Sequence, residues 1–328
     1  MNSSEQSAGR RLGVATIDQI ISGASNFLIA LLAAQVLGVA AFGLFGIIML
    51  VNVVVQGGAR ALISEPLLLH PEEAENRPGD VIGSACSLGL VIGALLVASG
   101  LAARPFDSHL GDALMVLGLF SPFLVLQDMG RYLGFATRRP ALALTLDVTW
   151  LVLQIGAIAA LIVLDVSSLR AFVAVWAGSG AVAGLLVFWQ HRSARVRPGI
   201  AWLKQTWGYS WRYLVSYTST QGSGLLAAIL LRAIAGARAL GGVQGALLLQ
   251  RPFTTFQVAV IASGVGEVTR ITDDLPQVRR MVRKLTLLTG GAGFLNGAVL
   301  VLVPDRVGEA VLGDTWSVAQ HLMWPAAA

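Results

Sequence analysis

Charged and amide side chains recur at helical spacing inside stretches that are otherwise apolar. Asp18, Ser22 and Asn26 form one row, with Ser25 beside it, and Asn52, Gln56 and Arg60 form another. A spacing of four residues puts each row on one face of a helix. Ser121 and Asp128 with Arg131, Asp147 with Gln154, Arg212 with Ser216 and Thr220, and Gln244 with Arg251 and Thr255 continue the pattern. Ionisable groups in apolar segments are costly and face a bundle interior or a wet cavity. Their chemistry is ligand contact, internal ion pairing and, for the carboxylates, proton uptake. His70, His109, His191 and His321 fall in loops or at the ends of apolar stretches, so none supports a relay. The single cysteine, Cys86, excludes an internal disulfide and a Cys/His metal constellation. No catalytic residue, metal or cofactor is expected.

Arg251 is the sharpest of these residues, because its apolar stretch places it near mid-membrane and Pro252 beside it predicts a local break. Ligand contact competes there with a salt bridge to Asp18 or Glu65. Arg60 is expected near the cytoplasmic end of its helix, where it snorkels, pairs with Glu65 or contacts ligand. Asp128 and Arg131, at i,i+3, are expected to neutralise each other, and Arg212 and Arg232 to act as anchors at the membrane edges. Asp18 and Asp147 are the candidates for ion coupling, with simple hydrogen bonding as the alternative.

Positioning these rows falls to membrane helices. The chain of 328 residues is 55% hydrophobic and 12% charged, with mean hydropathy +0.72, too few charges to solvate a globule of this size. Windows of about 19 residues place spans near 13–36, 42–63, 81–103, 112–135, 142–164, 169–190, 209–231, 241–264 and 285–303. The fold expected is therefore all-α and polytopic, with about nine complete spans and the start of a tenth near Trp316. Arginine and lysine concentrate on alternate connections, which sets the N-terminus in the cytoplasm and attributes the net charge of +5 to topology and anionic headgroups, not nucleic acid. The basic segment 191–208 divides the chain: residues 1–190 as a six-helix bundle, 191–208 as a cytoplasmic linker, and 209–328 as an incomplete second bundle.

Two further features bear on packing. The spans near 81–103, 169–190 and 285–303 lack interior charge and carry Gly89/Gly93, Gly180/Gly184 and Gly293/Gly297, the spacing of close helix contacts. The segments 37–43 (LGVAAFG) and 235–241 (AGARALG) echo each other, which suggests an internal repeat of helical bundles.

The stretches IDQIISGASNF (17–27), AAQVLGVAAFGLFG (33–46), RALISEPLLL (60–69) and LGDTWSVAQ (312–320) resemble the polysaccharide-export branch of the multidrug/oligosaccharidyl-lipid/polysaccharide flippase superfamily. The resemblance implies two six-helix bundles related by a pseudo-twofold axis, with helices 1, 2, 7 and 8 lining a central cavity. It implies transport of undecaprenyl-diphosphate-linked glycan across the cytoplasmic membrane by alternating access, with polysaccharide-assembly proteins and membrane lipids as partners. Cationic residues engage the diphosphate in such proteins, which points here to Arg251 and Arg60. A guanidinium suits that role, because its planar fork matches phosphate oxygens and stays charged. Asn52, Gln56, Asn26 and Gln244 are then the candidates for sugar hydroxyls. Relatives have about twelve to fourteen helices, whereas Ser317 to Ala328 are too few to cross a bilayer, so a truncated chain is expected. A cation-coupled small-molecule exporter, a membrane glycan polymerase or ligase, and a non-transporting remnant are the competing readings. The polymerase is disfavoured by the lack of a long outer loop.

Overall fold

The computed structural model describes residues 18, 21, 23–270 and 275–324, and all regular structure among them is helical. Helix α1 covers Gly23–Val36, α2 Val39–Leu69, α3 Pro78–Ala103, α4 Ser108–Ala136, α5 Pro140–Val163 and α6 Leu169–Gln190. The run Ala201–Arg270 is broken at Gly236, where φ is 85° and ψ 168°; α7 precedes the break and α8 follows it. Only glycine takes that backbone without strain. Helix α9 is Leu275–Leu302 and α10 the short Asp305–Leu312. Among the described residues seven helices, with Ala201–Thr254 counted as one, are long and apolar enough to cross a membrane, so the chain is a multi-pass membrane protein. The expected spans 209–231 and 241–264 are thus joined through a single broken residue, with no loop between them. The expected start of a tenth span is a short helix, Trp316–Ala319, followed by a 3₁₀ turn, Gln320–Leu322.

The break expected at Pro252 does not occur. Helix α8 runs straight through Pro252, and the interruption lies at Gly236 instead. Proline inside a membrane helix leaves one carbonyl without its donor, a loss that neighbouring groups can absorb, whereas a positive φ redirects the chain itself.

The chain separates into two compact units, Met1–Ile29 with Leu44–Ile234, and Ala30–Gly43 with Ala235–Ala328. The basic segment read as a linker between bundles lies inside the first unit, where its backbone is seated on α3. A Cβ at Gly79 would lie 2.0 Å from the Arg195 carbonyl oxygen, and one at Gly83 would lie 1.9 Å from that of Arg197. The hydroxyls of Ser87 and Ser84 accept the Gly199 and Trp202 amides at 3.1 and 3.2 Å. Trp202, 1% exposed, then opens α7 and donates its indole N–H to the Ile63 carbonyl at 3.1 Å.

Gly89/Gly93 and Gly180/Gly184 make the close contacts their spacing predicts. Gly89 and Gly93 receive α4 at Pro122 and Gly118, a Cβ at Gly93 falling 2.6 Å from the Gly118 carbonyl oxygen. That carbonyl is the one Pro122, lacking an N–H, leaves without its helical donor. Gly184 lies against the Phe123 carbonyl and Gly180 against the Trp150 ring. On α9, a Cβ at Gly293 would lie 3.3 Å from the Phe253 ring. Close packing of this kind, with dispersion and not hydrophobic exclusion as its source, holds membrane helices together.

In the second unit the echoing segments pack against each other reciprocally. A Cβ at Gly43 would meet the Ala237 carbonyl oxygen at 2.4 Å, and one at Gly241 would meet that of Val39 at 2.2 Å. Gly43 and Gly241 hold the same place in the two segments, as do Val39 and Ala237. Such reciprocity is what a local two-fold relation produces.

Candidate functional site: a buried charge cluster in the first unit

The second half of α2 departs from regular α-helix. Arg60–Ser64 form a π turn, in which the Glu65 amide reaches back five residues to the Arg60 carbonyl. Pro66 follows immediately and cannot donate to Leu62, and the extra residue in the preceding turn accommodates its ring. The wider turn sets the direction of Arg60, the last residue of the Asn52, Gln56, Arg60 row.

Arg60 points at α4. Its Nε and Nη2 donate to Asp128 at 2.8 and 2.7 Å, a two-pronged pair, and its guanidinium lies 5.8 Å from the centre of the Tyr132 ring. The Asp128 side chain is 6% exposed and that of Arg60 36%. Neither the snorkelling expected for Arg60 nor the pairing with Glu65 is observed. A carboxylate one helix away offers the fork both of its oxygens, which solvent at the membrane edge does not match.

Arg131, one helical turn beyond Asp128, is buried among three carboxylates. Its Nη2 donates to Asp18 at 2.9 Å, its Nε lies 3.1 Å from Asp147, and its Nη1 lies 3.7 Å from Asp128. The expected mutual neutralisation of Asp128 and Arg131 is thus the weakest of these contacts, because each has a better partner on another helix. Gln127 donates at 2.8 Å to Asp147 Oδ1, the same oxygen that Arg131 Nε faces, and Gln154 donates to Ser25, tying α5 to α1. Among the described residues the cluster holds three carboxylates and two guanidiniums, a formal excess of one negative charge. One oxygen each of Asp18 and Asp147 is buried without a hydrogen-bond partner. Beside Asp147, a pocket lined by Ser25, Asn26, Asp147 and Trp150 encloses about 10 Å³, space for roughly one water.

The structure therefore brings Asp18, Arg60 and Asp147 into one network. It adds Gln127 and Tyr132, which fall off the polar rows and carry no signal in a single sequence beyond adjacency to Asp128 and Arg131. Gln56 is buried on the same face of α2 as Arg60, its Oε1 without a partner, and Asn52 is half-buried. Asn26 is exposed at the rim of the small pocket. Helix α7 carries its row outward: Arg212, Ser216, Thr220 and Ser223 are all exposed, and Thr220 and Ser223 return their hydroxyl protons to their own helix. Tyr217, on the same helix, covers Gly57 of α2 and donates to the Val53 carbonyl at 3.0 Å.

Gln244 and Arg251 belong to the second unit. Gln244 is half-buried, and Arg251 is exposed, with Thr254 donating to its carbonyl. The side chain of Thr255 lies outside the described residues. A cleft of about 890 Å³ in this unit is lined by residues 38–41 with Arg238, Glu309, Asp314 and Ser317, and its lining includes neither Gln244 nor Arg251. Arg232, read as a membrane-edge anchor, is ion-paired to Asp107, the N-cap of α4, and Arg212 lies over the Trp211 ring. Among the described residues no group of His, Cys, Asp and Glu has the arrangement of a metal site.

No family model and no curated protein matches the chain. Among solved structures the chain is similar to a multidrug resistance MATE family transporter of the MOP superfamily in its inward-facing conformation. The TM-score is 0.63, at 17% identity, over 95% of this chain and 81% of that one. The fold is all-α and polytopic, similar to the fold of that transporter.

Proposed function

We propose that the chain moves a lipid-linked oligosaccharide, carried on a polyprenyl diphosphate, across the cytoplasmic membrane by alternating access, for cell-surface polysaccharide biosynthesis. The observation that carries this reading is Arg60: a half-exposed guanidinium fork in an otherwise apolar helix, on the same unit as the exposed polar face of α7. A partly exposed guanidinium fork matches phosphate oxygens, and a hydroxyl-lined helix face suits a sugar-bearing cargo. Arg251, exposed on an apolar helix of the second unit, is the other cationic contact in the proposal. Asn52, Gln56, Asn26 and Gln244 supply polar contacts to the glycan. The transporter fold supports movement across the membrane as the activity.

The test is export of surface glycan in cells that lack their own flippase and depend on this protein. Arg251→Ala and Arg60→Ala each abolish export while membrane insertion, read by blotting of the membrane fraction, is retained. Near-normal export by both variants refutes the diphosphate contact, and Arg251→Lys reports whether charge suffices without the fork.

A second reading, a cation-coupled small-molecule exporter, is favoured by the excess carboxylate and by the unpartnered oxygens of Asp18 and Asp147. Efflux of cationic dyes from vesicles under an imposed proton or sodium gradient distinguishes it. Gradient-driven efflux that Asp147→Asn abolishes, without any glycan export, replaces the first reading with this one.

A further inference from the structure

The fork of Arg60 that would receive a phosphate is already occupied. Both oxygens of Asp128 lie where two phosphate oxygens would bind, on Nε and Nη2 at 2.8 and 2.7 Å. Asp128 and the Tyr132 ring lie against the charged end of this side chain. The pair is asymmetric: Asp128 is buried and Arg60 is more than a third exposed, so an incoming anion meets the guanidinium and not the carboxylate. Asp128 also has a second cation within reach, the Nη1 of Arg131 at 3.7 Å on its own helix, one turn away.

From this geometry we infer that Asp128 is an internal stand-in for the anionic group of the cargo: it neutralises Arg60 when the site is empty and yields the fork to a phosphate, turning to Arg131. The inference rests on the anion-binding role proposed for Arg60 and assigns that site its regulation. An uncompensated guanidinium in a membrane helix is unfavourable, and a stand-in removes that cost between transport events. It also sets a threshold. A ligand with a single weak charge cannot displace a two-pronged carboxylate, whereas a diphosphate, with more charge and more acceptor oxygens, can. Asp128 is thus a specificity-determining residue that acts through Arg60. The π turn at Arg60–Ser64 is the element that aims the fork at α4.

The experiment measures binding of inorganic pyrophosphate and of farnesyl diphosphate to the purified full chain in detergent by titration calorimetry. Asp128→Asn removes the competing charge while keeping the shape, so binding tightens roughly tenfold, the equivalent of losing one partly exposed charge-assisted pair. Arg60→Ala weakens binding, and the double variant Asp128→Asn with Arg60→Ala shows no gain over Arg60→Ala alone. Asp80→Asn, which removes an acid held by Arg77 at the start of α3, controls for net charge and leaves the affinity within about twofold. Tightening with both probes, or with farnesyl diphosphate alone when the lipid tail is needed, supports the stand-in. Unchanged or weaker binding in Asp128→Asn, or an equal gain in Asp80→Asn, overturns it. Absence of glycan export together with Arg60-dependent pyrophosphate binding refutes the flippase reading and leaves the stand-in intact. A variant that unfolds is recognised by its elution profile, and Asp128→Ser then replaces it.

Discussion

Replacing Arg131 by methionine is the most severe single perturbation the first unit offers. The side chain is 7% exposed and carries the positive charge for Asp18, which is fully buried, and for Asp147, which is 4% exposed. Asp128 keeps Arg60, so two carboxylates are stranded. Breaking a buried ion pair from one side costs about 3–5 kcal/mol. The stranded groups can escape part of this by taking up protons, at about 4 kcal/mol for each carboxylate kept neutral at pH 7. We expect a loss of about 3–5 kcal/mol, shrinking as the pH falls toward 5, where neutralising a carboxylate costs roughly 1–2 kcal/mol. The sign follows because the variant's folded state binds protons that the unfolded chain, still ionised, does not. The assay is unfolding of the detergent-solubilised protein by fluorescence, for which its eight tryptophans are convenient. Adding Asp147→Asn to Arg131→Met should recover at least about 1 kcal/mol, since one stranded charge is gone. A variant within about 1 kcal/mol of the parent at pH 7, or one that Asp147→Asn does not help, would show that the cluster is not the ion-pair network described here.

Two further outcomes are expected. Gly241→Ala puts a methyl group 2.2 Å from the Val39 carbonyl oxygen, backbone that cannot step aside cheaply, and should cost about 1–3 kcal/mol, whereas Gly208→Ala, with open space around it, should be neutral or slightly stabilising in the same unfolding assay. His191, at the end of α6, has a buried Nε2 without a partner, and burial together with the nearby Arg139 pushes its imidazole below its ordinary range. It is therefore neutral in the folded protein, and its contribution is complete above about pH 6.5 and lost as the pH falls through the lowered value. His191→Gln should flatten the acid limb of the stability profile, and an unchanged limb would exclude His191 as its source.

The helices were legible because twenty apolar residues in a row have few alternatives, and the polar rows because a period of four survives in any single helix. What the rows face was not legible. Arg60 and Asp128 are separated by 68 residues, and Asp18 and Arg131 by 113. Sequence spacing gives the face of a helix but not which neighbour meets it. The nearest-neighbour rule therefore favoured Asp128 with Arg131, which the structure leaves 3.7 Å apart. The same limit applies to glycine. Gly89/Gly93 and Gly293/Gly297 read identically in the sequence, yet the first pair receives a proline-freed carbonyl on α4 and Gly293 meets an aromatic side chain. The break at Gly236 was hidden for a different reason: proline announces itself by type, whereas a glycine with positive φ looks like any other among 37.

The composition of the cluster ties the two functional readings together. With three carboxylates on two guanidiniums, Asp128 is held by Arg60 while Asp18 and Asp147 share Arg131. If an anionic cargo takes Arg60, Asp128 becomes a third claimant on Arg131, and the carboxylates left behind repel one another at short range. Their cheapest relief is a proton or a monovalent cation, and the water-sized pocket beside Asp147 is where one would be received. On this argument anion binding at Arg60 and cation uptake at Asp18 and Asp147 are linked, so each strengthens the other by the same factor. A cation-coupled exporter and a diphosphate-lipid flippase would then use the same five charged residues and differ in whether the cargo reaches Arg60.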